Sequence, residues 1–189
     1  MKKICKNLTL IGSALMMGVV SLSVMANNGK IRFEGRVTDT TCVVDVNGQG
    51  DDALVKLPDV STKLLDADKK TAGRTFVNFT LTGCTLANGI TQAGVFFRAG
   101  DSINTAGRLD NTEVGVGGAR NVELQILNTD RDPMDLSKGS GEQNATLEVI
   151  SGPAGAGTAI IKHYVEYYAT AQAGPGLVKS NVEYEIDYE

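Results

Sequence analysis

The sequence predicts an all-β sandwich. Apolar and polar residues alternate with period two in segment after segment, and no segment sustains the 3.6-residue period of an amphipathic helix. Short runs rich in glycine and asparagine separate the alternating segments, as tight turns between strands require. No internal repeat, low-complexity tract or interdomain linker interrupts the pattern.

Residues 1–26 are expected to be a cleaved signal peptide. Lys2, Lys3 and Lys6 give a positive start, an apolar run extends from Leu8 to Val24, and Val24 and Ala26 supply the small residues before a cut. The run is short for a bilayer span of ~20 apolar residues, so no membrane insertion of the mature chain is expected. Removing three lysines from 18 basic residues leaves 15 against 22 acidic ones, a net charge of about −7. That balance excludes nucleic acid and anionic membrane surfaces as natural partners. Cleavage also removes Cys5 and leaves Cys42 and Cys84. In an exported chain the simplest reading is one disulfide, the alternative being two buried free thiols.

The mature chain, 27–189, opens with Gly29 to Val37, where Ile31, Phe33 and Val37 share one side and Lys30, Arg32, Glu34 and Arg36 the other. A strand at a free end can pair with its own sheet or with another molecule's. Cys42 to Val46 is β-prone and ends in the turn Asn47-Gly48-Gln49-Gly50. Ala53 to Leu57 is expected to be a short strand stopped by Pro58, and Leu64 to Lys70 one helical turn or a charged loop. Arg74 to Thr82 alternates through Val77, Phe79 and Leu81 and runs into Cys84. Val95 to Phe97, Asn121 to Leu127 and Thr146 to Ile150 read as further strands. Ile160 to Thr170 is the longest, with Ile161, His163, Val165, Tyr167 and Ala169 on one side; Val182 to Glu189 alternates without an error.

Candidates for chemistry are few. His163 is the chain's one histidine and sits on the core-facing side of its strand, so a hydrogen-bonded core histidine is expected rather than a metal ligand or the base of a triad. Asn128, Asp130 and Asp132 lack the glycine and later glutamate of a calcium loop and suit a solvated hairpin turn. Gly115-Val116-Gly117-Gly118 lacks the Lys-Ser/Thr of a phosphate loop. The sequon matches at Asn78 and Asn144 are short enough to arise by chance. No catalytic, cofactor or metal site is expected, and the chain is not expected to be an enzyme.

The two ends carry the most information. Penultimate Tyr188, apolar Val182, Tyr184 and Ile186 at alternate positions before it, and Gly176 at the fourteenth place from the end together resemble the chaperone-recognition motif of pilins of the chaperone–usher pathway. Gly29-Lys30-Ile31-Arg32-Phe33-Glu34-Gly35, followed shortly by Cys42, is similar to the donor strand and first cysteine of type 1-like fimbrial subunits. Asn121 to Leu127 and Tyr167-Tyr168-Ala169-Thr170 also resemble segments of that family. The chain departs from the pattern in its short extension, with Asn27 and Asn28 alone before Gly29, and in His163, where family members more often carry an apolar residue.

The resemblance implies an incomplete immunoglobulin-like sandwich that lacks its last strand and leaves a groove between its first and last strands. A periplasmic chaperone, and then at the outer-membrane usher the amino-terminal extension of the next subunit, would fill that groove by β-strand addition. Residues 27–38 would be the donor segment, inserting Ile31 and Phe33, with Gly29 and Gly35 at shallow or narrow points. The function implied is a structural subunit of a surface fimbrium used in adhesion, with identical or related pilin subunits as partners. The alternatives are a minor adaptor pilin and a self-contained secreted sandwich that binds carbohydrate or protein.

Overall fold

A computed structural model describes residues 41–87 and 89–189. The expected signal peptide and donor segment lie outside the described residues. Eight strands are described: β1 Thr41–Val46, β2 Thr71–Thr85, β3 Gln92–Phe97, β4 Leu109–Asp110, β5 Val122–Leu127, β6 Glu148–Val149, β7 Gly157–Ala169 and β8 Tyr184–Tyr188. They form a five-stranded sheet in the order β1-β2-β7-β5-β4 and a three-stranded sheet in the order β6-β3-β8, all pairs antiparallel.

The long strands β2 and β7 make the spine of the larger sheet. Their alternation aims one side inward: Phe79 and Leu81 from β2, and Ala159, Ile161 and Val165 from β7, are buried. Ala93, Val95 and Phe97 of β3 face them from the smaller sheet, and Ile126, Met134 and Leu136 complete the same core. Cys42 and Cys84 are joined in a disulfide that ties β1 to β2. The ladder between those strands shifts register beside it, and Gly83 takes φ +61° there, a conformation that an L side chain resists.

One expectation is corrected. Ala53 to Leu57 is not a strand: it has no backbone ladder, although Val55 and Leu57 still pack against the core. Its alternation is met by side-chain burial alone, because no neighbouring edge is hydrogen-bonded to it. The ambiguous stretch before β2 contains a 3-10 turn at Thr62–Leu65, set by the Ser61 side chain accepting from the Lys63 amide and by buried Leu65. The two-residue strand β4 was not anticipated, being too short to show a period.

Candidate functional site

Among the described residues β8 pairs with β3 alone and β1 with β2 alone. Each is therefore the last strand of its sheet, and the two lie on the same flank of the sandwich. The space between them is a cavity of about 730 Å³ whose walls include Val44 and Val46 of β1 and Tyr184 and Ile186 of β8. Val182, just before β8, extends the second wall. Phe79, Phe97, Leu124, Ile126, His163 and Val165 form the floor. Among the described residues, both sheets thus end at an open edge over the core, one strand short of closure.

The walls are tied at both ends. The Tyr184 phenol donates to the main-chain oxygen of Asp51 at 2.7 Å, and the Tyr188 phenol is hydrogen-bonded to the main chain of Cys42. Burial pushes both phenols above the ordinary tyrosine range; the charges of Asp51, Asp52 and Asp45 add to this at Tyr184, whereas the Cys42 bond opposes it at Tyr188. Between them Ile186 turns inward and Glu185 outward. The predicted alternation of Val182, Tyr184, Ile186 and Tyr188 is thus a row of side chains that all pack on the core.

Gly176 has a different job. It stands apart from the groove lining, and a Cβ there would fall 2.4 Å from the Gly118 carbonyl carbon and the Ala119 nitrogen. It lets the segment leading to β8 cross the Gly115–Gly118 loop, where Leu177 donates to Gly117 and Ala119 donates to Leu177.

His163 corrects a second expectation. It is fully buried, edge-on to the rings of Phe79 at 5.6 Å and Phe97 at 5.5 Å, but it is not satisfied: neither ring nitrogen has a hydrogen-bond partner. Burial lowers its pKa to about 4, so the imidazole is neutral at pH 7. The Ser180 hydroxyl, which also lines the groove, is buried without a partner too.

Elsewhere Asn78 Oδ1 is also buried without a partner, whereas Asn128 and Gln143 are well served. Asn128 accepts from the Asp130 and Asp132 amides and donates to the Asn144 carbonyl, so this trio shapes a turn. Gln143, which sequence reasoning missed, accepts from the Phe97 amide and donates to Phe97, Leu136 and Lys138. It pins the end of β3, and with it Phe97, into the groove floor. A lone glutamine in a loop gives no sequence signal of such a role. Among the described residues no three His, Cys, Asp or Glu side chains gather to hold a metal ion.

The comparisons agree with this geometry. Residues 57–189 match the family model described as FimA: Type-1 fimbrial protein, A. The chain belongs to the type-1 fimbrial protein family. A major fimbrial subunit of Stenotrophomonas maltophilia, SMF-1, is 35% identical over 92% of this chain and 99% of that protein. An Escherichia coli fimbrial protein is 32% identical over 89% of this chain and 92% of its own length. The P pilus rod subunit PapA shares the fold, with a TM-score of 0.55 at 12% identity over 78% of this chain and 99% of that one. This fimbrial protein is therefore a structural pilin subunit of a surface fimbrium, in a family of structural subunits rather than known enzymes.

Proposed function

We infer that this pilin polymerises by donor-strand exchange, with the groove between β1 and β8 as acceptor. Residues 27–38 of a second copy, or of a related subunit, insert as the missing strand. The observation that carries this reading is the pair of open edges flanking a cavity floored by core residues. An inserted strand gains hydrogen bonds at the exposed edge and buries Ile31 and Phe33, each worth ~1.5–3 kcal/mol.

Left bare, the same edges would promote aggregation, which is why a periplasmic chaperone is assigned to the groove before assembly at an outer-membrane usher. The route begins with export and cleavage after Ala26. Tyr188 and the row from Val182 to Ile186 are the surface the chaperone meets. The mature chain has no catalytic activity in this reading; its product is the fibre itself.

The test is a denaturing gel of the sheared surface fraction, unheated and after boiling in acid, probed with an antibody to this chain. Strand exchange predicts a ladder or very large species that collapses to one band of about 17 kDa. A single monomer band under both conditions overturns it.

A further inference from the structure

The loop of residues 114–118 carries apolar side chains into solvent. Val116 is fully exposed, Val114 is 84% exposed, and Leu177, bridged to Gly118, is 58% exposed. The loop is also clamped. The Asn111 side-chain nitrogen donates to the Ala119 and Leu177 carbonyls, and its oxygen accepts from the Glu113 and Lys179 main-chain amides. Thr112 donates twice to the Lys179 carbonyl, and the Lys179 ammonium lies 2.7 Å from the Glu113 carboxylate. An apolar patch on a hydrogen-bonded support is preorganised for a partner. Lys179 immediately precedes Ser180, a groove-lining residue, so the patch adjoins the Tyr184 end of the groove.

A second loop stands at the opposite end of the sandwich. Residues 151–156 are all exposed and uncharged, with Pro153, Ala154 and Ala156 as their apolar side chains. They lead into β7, whose first residue, Gly157, is laddered to Cys84 and so lies beside the disulfide to β1. Loop 114–118 instead precedes β5, whose first residue, Val122, pairs with Ala169 at the far end of β7. Thirteen residues of strand at about 3.3 Å each hold the two loops roughly 40 Å apart within one chain.

Strand exchange brings these loops together between copies. All described strand ladders are antiparallel, so a strand added to β8 in the same manner leaves the groove at its Tyr184 end. The inserted segment ends at residue 38 and β1 begins at Thr41, so three peptide units, at most ~11 Å, separate the groove from the incoming sandwich. The incoming copy therefore sets its disulfide and its 151–156 loop against the acceptor's Tyr184 end. Mature chains of like charge, about −7 each, repel, and uncharged loops are where they meet without that cost.

We propose that loop 114–118, with Leu177, is a docking surface for residues 151–156 of the next copy in the fibre. The contact fixes the angle between successive subunits. A short tether alone leaves neighbours free to swing, and a second point of attachment removes that freedom. The inference rests on the strand-exchange reading.

The test uses fibres of the full chain. A benzophenone amino acid in place of Val116 is expected, on irradiation, to crosslink to the peptide carrying residues 151–156, read by mass spectrometry. The separation of roughly 40 Å within a chain makes that product intermolecular. Val116→Lys is expected to shorten the persistence length of fibres in electron micrographs about twofold, since a charge resists burial in an apolar contact. Adding Ala154→Glu is expected to restore the wild-type stiffness. Val116 is fully exposed, so its replacement leaves folding intact. Crosslinks to other peptides only, unchanged stiffness with Val116→Lys, or no rescue by the paired charges overturns the docking surface. An unheated gel ladder from the same fibres leaves strand exchange standing in each of those cases. A wild-type chain that forms no strand-exchanged fibre overturns both.

Discussion

Tyr184 donates its phenolic hydrogen to the main-chain oxygen of Asp51, joining the last strand to the loop that follows the first. The bond spans 133 positions of sequence and sets the separation of the groove walls at one end. Tyr184→Phe keeps the ring against Phe79 and removes the bond alone. The expected loss is about 1 kcal/mol, read as a lower denaturant midpoint with an unchanged slope. Assembly should persist, because the aromatic floor is intact.

Acid should weaken the fold through His163. Its pKa is about 4 when folded and near 6.5 when unfolded. Above pH 6.5 both states are neutral and the residue has no pH-dependent effect. As pH falls from 6.5 toward 4 the unfolded chain takes up a proton that the folded chain refuses, and stability drops by on the order of 3 kcal/mol in all. Carboxylates titrate in the same range, so the measurement is a difference: unfolding midpoints of wild type and His163→Phe from pH 7.5 to 4. The variant should lose this component of the slope, and parallel curves would refute the assignment.

Gly176→Ala places a methyl group on the backbone of Gly118 and Ala119 at a φ of +155°. Neither neighbour is a flexible side chain that can step aside. The expected cost exceeds about 2 kcal/mol, seen as reduced yield of folded protein and a lower melting temperature. Gly117→Ala, with open space around its Cβ position, is the control and should be near neutral.

Phe33→Asp tests the donor directly. A carboxylate carried into an apolar groove is strongly disfavoured, so surface fibres should disappear while the chaperone-bound monomer accumulates in the periplasm. Normal fibres from this variant would exclude residue 33 from the acceptor groove. Loss of the soluble monomer as well would point to a folding role for the segment.

Much of the sandwich is legible in the sequence because its strands are half-buried and alternate. β1, β2, β3, β5, β7 and β8 fall where Val44, Phe79, Val95, Leu124, Ile161 and Ile186 mark inward positions. Ala53 to Leu57 misleads for the same reason: Val55 and Leu57 alternate inward, but alternation reports burial and not hydrogen-bonded pairing. The groove walls were readable from the last strand, whereas its floor was not. Which inward residues lack a covering strand depends on sheet order, and no local pattern encodes that Phe97 and His163 meet from opposite sheets. The unpaired state of His163 was equally hidden, since a sequence shows a residue's side of a strand and not its partners.

The disulfide between Cys42 and Cys84 bears on mechanics as well as folding. In a strand-exchanged fibre, tension from the neighbouring subunit enters each domain just before β1, whose six residues would peel from β2 one hydrogen bond at a time. The covalent bridge lies at Cys42, the second residue of β1, and hands the load straight to β2, which is laddered to β7 along most of its length. Force is thereby borne in shear by the two longest strands. A reduced fibre should extend under a pull that an oxidised fibre withstands.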